Sequence, residues 1–309
     1  MINVFLNLLI IAVCGVGLWW SANLVVDGST NIARKLGISN LAIGLTVIAF
    51  GTSAPEFAVT AIAAIKGQGD ISVSNVVGSN FLNLGLVLGS VALFRAIPTT
   101  QVKARREGAI LIGGTLLFIM LMADFKMARW EGFLFLALLI AYILYMFFSS
   151  SANQEKIPEG EFKYLDVIKL IGGLVIILVS SNYLVEAAVV LARQIGISEW
   201  MIGETIVALG TSLPELATSL AAVIRGNYGL SIGNLIGSNL FNLFGVLGLA
   251  AILRPMTIDQ DAFSHLIWLL AFMVLVVIFI RTNRKISRLK GAVLILINAA
   301  VWVKGFLEH

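Results

Sequence analysis

The chain has 309 residues, of which 59% are hydrophobic and 12% charged, and it carries a formal net charge of +4. A typical soluble domain is about a quarter charged, so this composition excludes a water-faced globule and points to a lipid bilayer. The single cysteine, Cys14, excludes an intrachain disulfide and reads as packing within the first apolar run.

A helix needs roughly 20 apolar residues to cross the hydrocarbon core, and in lipid its backbone must bond within its own segment. The apolar runs are long and lack the period-two alternation of barrel strands. They predict an all-α polytopic membrane protein of ten transmembrane helices, near residues 3–26, 40–65, 71–94, 107–124, 129–148, 166–190, 199–224, 230–253, 262–281 and 289–307. No basic residue precedes the first run, so it is read as a span and not as a cleavable signal peptide. The one polar stretch long enough to be a linker, SSSANQEKIPEGEFK from Ser149 to Lys163, falls at the midpoint. The expected organisation is therefore a first five-helix repeat over 1–148, a linker over 149–165 and a second repeat over 166–309.

The halves repeat. Residues 34–90 align with 193–249 at a constant offset of 159, without a gap, and with 27 identities in 57 positions. One block reads GTSAPE at Gly51–Glu56 and GTSLPE at Gly210–Glu215. The other reads SVSNVVGSNFLN at Ser72–Asn83 and SIGNLIGSNLFN at Ser231–Asn242. Placing the N-terminus outside puts 15 of the 21 basic residues, among them Arg34, Arg95, Arg225, Arg284 and Lys290, on the cytoplasmic side. Both termini are then outside a cell membrane and the linker is cytoplasmic. Because each repeat has an odd number of spans, the second enters from the opposite face, the inverted plan common among secondary transporters.

Glu56 and Glu215 fall mid-span, where an isolated charge costs several kcal/mol, about 3 on insertion scales. Each follows a proline, Pro55 or Pro214, which interrupts the helix. The break frees carbonyls around Ala49–Thr52 and Ala208–Thr211 that need new partners, and a cation can be one. In the second block, Ser79 and Asn83 are four apart and share a helix face, as do Ser238 and Asn242. Gly78 and Gly237 let helices approach closely. The donors are all oxygens, without sulfur or imidazole nearby, which suits Ca²⁺ or Na⁺ and not Zn²⁺ or Cu.

GTSxPE followed by GxxxGSNxxN, present twice, resembles the alpha repeats of the calcium/cation antiporter superfamily, and most closely its sodium/calcium exchanger branch. The resemblance spans essentially the whole chain. It implies Glu56 and Glu215 as the central acidic ligands and Thr52, Ser53, Thr211 and Ser212 as lining, together with the carbonyls of Ala49 and Ala208. Ser79, Ser238, Asn83 and Asn242 would complete the site. It also implies that the first and sixth helices slide over a static core. Many exchangers of this branch have aspartate where Asn242 stands; asparagine here removes one charge and argues against a potassium-dependent type.

The leading expectation is a Ca²⁺/Na⁺ antiporter working by alternating access, with H⁺/Ca²⁺ exchange as the alternative. A channel is disfavoured by the inverted repeat within one chain. An intramembrane enzyme is disfavoured because no nucleophile–base pair accompanies the glutamates. No P-loop is present, so ATP is not expected to drive transport; no nucleic-acid partner and no cofactor are expected. The partners are the transported cations and lipid, and the unit is a monomer. Asp27 and Glu186 lie near span ends and read as interfacial or helix-end groups before gates, and Asp70 and Asp124 as loop residues. Glu204 reads as a residue of the water boundary or an ion pathway, and His265 and His309 as incidental.

Overall fold

The structure is a computed structural model that describes residues 2–99, 102–150, 162–197 and 206–308. Helix α1 (Ile2–Leu36) runs ten residues beyond the expected end of the first apolar run and stops at Gly37, whose φ of +67° only glycine adopts without strain. Ser39 then caps the next helix, its Oγ accepting from the Ala42 amide at 3.2 Å.

The second apolar run is two helices, α2 (Asn40–Thr52) and α3 (Ala54–Lys66), bent by 51° at Ser53. The bend falls immediately before Pro55, which sits in the first turn of α3, where its missing amide hydrogen costs nothing. Helix α4 (Gly69–Phe94) follows, then strand β1 (Ile97–Pro98), α5 (Val102–Leu121), β2 (Lys126–Met127) and α6 (Arg129–Ser150). The second half contributes α7 (Tyr164–Gln194), α8 (Ala208–Thr211), α9 (Leu213–Ile224), α10 (Tyr228–Leu253), β3 (Met256–Thr257), α11 (Gln260–Arg281), β4 (Lys285–Ile286) and α12 (Arg288–Glu308).

Seven of the described helices are long and apolar enough to cross a bilayer, and eight segments are if the bent α2–α3 pair is one span. This is a polytopic helical membrane fold. Of the expected span at 199–224, residues 199–205 lie outside the described residues; α12 covers the expected last span. Asp70 departs from the reading as a loop residue. It stands in the first turn of α4, and its carboxylate accepts the Asp259 amide at 2.9 Å. An acidic group is favoured at a helix N-terminus.

The offset of 159 persists where sequence identity is thin. It relates the starts of α4 and α10 (69 and 228) and their ends (94 and 253). It also relates β1 to β3 (97 and 256), β2 to β4 (126 and 285), and the starts of α6 and α12 (129 and 288). The strands pair across the halves: β1 with β4, Ile97 opposite Ile286, and β2 with β3, Met127 opposite Met256, both antiparallel.

Of the seven helices long and apolar enough to cross a bilayer, α4 and α10 are the most buried and α1 and α7 the least. The latter two lie along each other through small residues. A Cβ on Gly28 would stand 2.5 Å from the Asp166 carbonyl, and one on Gly173 would stand 3.0 Å from that of Ser21. Their outward faces carry large apolar side chains such as Phe5 (72% exposed) and Ile168 (65%). Lipid accounts for such surface; water does not. Where lipid removes the hydrophobic drive between helices, close packing of this kind holds them together.

Candidate functional site

The break in each half sets the site. Helix α2 ends at Thr52, Ser53 takes a non-helical backbone (φ −82°, ψ 12°), and Glu56 falls in the first turn of α3. The second half repeats this, with Ser212 at φ −90°, ψ 2° and Glu215 in the first turn of α9. Each carboxylate thus sits at the positive end of a half-helix dipole, which offsets part of the cost of holding charge at this depth.

The α3–α4 and α9–α10 pairs are fastened by asparagines to which the sequence reading assigned no role. Asn75 Nδ2 donates to the Glu56 carbonyl at 3.2 Å and to Thr60 Oγ1 at 2.9 Å. Its counterpart Asn234 Nδ2 donates to the Glu215 carbonyl at 3.4 Å and to Ser219 Oγ at 3.0 Å. Both asparagines lie in the second repeated block, and their identity across the offset was the available signal. A second unforeseen feature is a π-helical turn at Gly44–Ile48, at Asn83–Val87 and at Phe241–Val246, so that Asn83 and Asn242 each fall in one. Such turns are frequent at functional sites.

The two halves meet here. Ser53 Oγ of the first half donates to Glu215 Oε1 at 3.1 Å, and Ser238 Oγ donates to the same oxygen at 3.2 Å. Thr52 Oγ1 donates to Asn234 Oδ1 at 3.2 Å and lies 3.5 Å from Ser238 Oγ. Glu56 and Glu215 are fully buried, and Ser53, three residues before Glu56 in the chain, reaches Glu215. Glu56 is less well served than Glu215: neither of its carboxylate oxygens has a hydrogen-bond partner among the described residues.

The remaining expected residues divide. Asn83, Ser212 and Asn242 are buried with free polar atoms: both amide atoms of Asn83, the hydroxyl of Ser212 and the Oδ1 of Asn242. Ser79 is buried, but among the described residues no hydrogen bond joins it to Glu56 as Ser238 is joined to Glu215. Thr211 turns back to the Ala208 carbonyl at 3.1 Å. The carbonyls expected to be freed by the break are largely taken. That of Ala49 accepts the Ser53 amide at 3.1 Å, and that of Gly210 accepts Ser181 Oγ at 2.8 Å. A carbonyl has a second lone pair, so these bonds leave acceptor capacity. Glu204 and His309 lie outside the described residues, as does most of the linker, and His265 is exposed on α11.

Buried polar atoms are nearly always hydrogen-bonded. Of the twelve unpartnered buried side-chain atoms among the described residues, seven belong to Glu56, Asn83, Ser212, Glu215 and Asn242. They are a set of donors and acceptors the protein leaves open. No group of three or more His, Cys, Asp and Glu side chains able to hold a metal is found among the described residues.

The sequence profile of the family described as "Sodium/calcium exchanger protein" matches residues 6–148 and 166–303. The chain belongs to the sodium/calcium exchanger family. CaxA of Alkalimonas amylolytica is 38% identical over 291 residues, covering 90% of this chain and 91% of that protein. The sodium/calcium exchanger MaX1 of Methanosarcina acetivorans is 31% identical, covering 96% of this chain and 97% of its own. Among solved structures, the sodium-calcium exchanger NCX_Mj superposes with a TM-score of 0.85 at 28% identity, over 97% of this chain and 99% of that one. As a member of this family the chain is a membrane cation antiporter, a class of transporter and not of enzyme.

Proposed function

We propose that this chain exchanges Ca²⁺ for Na⁺ by alternating access, with ten spans in two inverted five-helix repeats and the cation held between Glu56 and Glu215. The observation that carries the reading is the convergence of two buried carboxylates from opposite halves with unpartnered Oε, Oγ and Oδ atoms around them. Ca²⁺ takes six to eight oxygens, carboxylates and carbonyls among them. Glu56, Glu215, Ser53, Ser212, Thr52, Thr211, Asn83, Asn242, Ser79, Ser238 and the carbonyls of Ala49 and Ala208 would supply them in changing subsets. Two negative charges match one Ca²⁺. Na⁺ entering from the other face competes for the same oxygens. Inversion of the repeats is supported by the strand pairing: α5 separates β1 from β2 and α11 separates β3 from β4, so each ladder joins one strand from each half.

Alternation is supported by where the pseudo-symmetry holds and where it fails. Arg95 Nη1 donates to the Ile224 carbonyl at 3.4 Å, and its counterpart Arg254 Nη1 donates to the Ile65 carbonyl, the counterpart of Ile224, at 3.0 Å. These solvent-accessible bonds are formed in both halves. Arg225 pairs with Asp27 of α1 and donates from Nε to Asn23 Oδ1 at 2.7 Å. The counterpart pair, Lys66 with Glu186 of α7, is not formed among the described residues: Glu186 accepts from Asn182 at 2.8 Å, and Lys66 is exposed. One end of α1 is latched to the core while the matching end of α7 is not, the asymmetry expected of a molecule closed to the cytoplasm and open outside. Asp27→Asn should shift the balance toward the opposite state by up to about fivefold, the worth of a surface ion pair near 1 kcal/mol. Glu186→Gln should shift it the other way. Distances between spin labels on α1 and α10 would read both shifts, and equal signs for the two variants would refute the latch.

The second reading is proton coupling, which the absence of a third carboxylate at Asn242 favours, since two protons would neutralise the pair. ⁴⁵Ca²⁺ uptake into proteoliposomes separates the two. An outward Na⁺ gradient should drive uptake, and a pH gradient without Na⁺ should not. Uptake under the pH gradient alone would replace Na⁺ by H⁺ as the coupling ion.

A further inference from the structure

We propose that Asn80 is a positioning residue that locks the side-chain amide of Asn242 with its oxygen free for the cation. The proposal rests on Asn242 being a ligand. Asn80, on α4, is fully buried, and its Nδ2 donates to the backbone carbonyl of Asn239 at 3.4 Å. That carbonyl can only accept, so the amide nitrogen of Asn80 must face it and Asn80 Oδ1 must face the other way. Asn242, also fully buried, then donates its Nδ2 to Asn80 Oδ1 at 3.3 Å. The orientation of one amide dictates that of the next. What is left over is Asn242 Oδ1, which has no partner among the described residues. It lies one turn beyond Ser238, whose hydroxyl touches Glu215, and so shares that helix face.

The matched residues in the other half lack this chain. Asn239, the counterpart of Asn80, donates back to the Leu235 carbonyl at 2.7 Å within its own helix, and its Oδ1 is unpartnered. Asn83, the counterpart of Asn242, has both amide atoms free. Asn242 is thus held ready in this state, and Asn83 is not. The relay also fits the residue type. An aspartate at 242 could not donate to Asn80 Oδ1, so asparagine at both positions is a matched pair, and Asn242→Asp would set two acceptors against each other.

Ca²⁺ titration by calorimetry of the detergent-purified full chain tests this through a double-mutant cycle. Asn242→Ala should weaken Ca²⁺ binding about tenfold and Asn80→Ala about fivefold, the worth of one lost orienting hydrogen bond. The double variant should bind no more weakly than Asn242→Ala alone. Ca²⁺-free melting of Asn80→Ala should fall, because Asn242 Nδ2 is left without a partner in the core; that loss is independent of Ca²⁺, so the binding cycle and not the melting temperature decides the relay. If Asn80→Ala does not fold, Asn80→Ser, too short to span to Asn242, takes its place in the same cycle. Additive losses overturn the relay, because a purely structural Asn80 would act whether or not Asn242 is present. Normal affinity in Asn80→Ala beside a loss in Asn242→Ala overturns the relay and leaves the site reading intact. Normal affinity in Asn242→Ala removes Asn242 from the site and the proposal with it.

Discussion

Glu56→Gln and Glu215→Gln each reduce Ca²⁺ uptake by at least about 100-fold, because a unit-charge pair at contact distance is worth about 4 kcal/mol in a medium of intermediate dielectric. A dication facing one carboxylate in place of two loses more than that. No other acidic group clusters with the pair to compensate, as the described residues contain no third carboxylate there. The two variants should differ in stability. Glu56 accepts no close hydrogen bond from the described residues, so a neutral amide there replaces an ionisable group in the buried site without breaking one. Glu56→Gln should therefore melt at or above the native temperature in the absence of Ca²⁺. Glu215→Gln disturbs an oxygen that receives both Ser53 and Ser238, and it should gain less. ⁴⁵Ca²⁺ flux and melting on the same preparations test both statements. Native flux in either variant would remove the carboxyl pair from the mechanism.

Gly233→Ala is expected to cost several kcal/mol, at or beyond the upper end of the 1–3 kcal/mol typical of overpacking, and to lower Ca²⁺ affinity as well. Helices α2 and α10 cross backbone to backbone at this point. A Cβ on Gly233 would stand 2.4 Å from the Leu41 carbonyl, and one on Gly44 would stand 2.6 Å from the Leu230 carbonyl. Neither obstacle is a side chain that can rotate away. Pushing the helices apart also separates Thr52 on α2 from Asn234 and Ser238 on α10, now 3.2 and 3.5 Å away. The control is Gly172→Ala on α7, where a new Cβ meets nothing within 4 Å among the described residues. Alanine there should be neutral or slightly stabilising, by up to about 1 kcal/mol from helix propensity. Thermal melting in detergent compares the two, and equal melting temperatures would show that the crossing tolerates a methyl group.

The close approach at Gly237 was legible in sequence. Its Cβ would fall 2.6 Å from the Leu45 backbone, whereas that of its partner Gly78 meets nothing within 4 Å among the described residues. The repeat made both glycines look alike, and their surroundings differ. The same holds for Ser79 and Ser238, and for Asp27 and Glu186. Each pair is matched in sequence, and only one member has its contact formed, Ser238 with Glu215 of its own half and Asp27 with Arg225 of the other. Asn75 and Asn234 were visible as repeated letters, but their work, holding the Glu56 and Glu215 carbonyls, depends on how α3 and α9 fold back on their neighbours. The reading of Asp70 as a loop residue failed because a helix start two residues after Gly67 leaves no periodic apolar signal so close to the turn.

From sequence alone come the membrane solvent, the duplication, the broken helices at the two GTSxPE blocks and the identity of the two buried acids. These follow from composition, repetition and the cost of charge in lipid, which act on each segment by itself. Only the tertiary structure decides that Ser53 of one half serves Glu215 of the other, that Asn80 turns Asn242, and that Asp27 is paired while Glu186 is not. A sequence with two like halves is nearly symmetric, but a folded chain occupies one conformation at a time. Which of two equivalent contacts is made depends on how the helices are displaced, and no single segment carries that information.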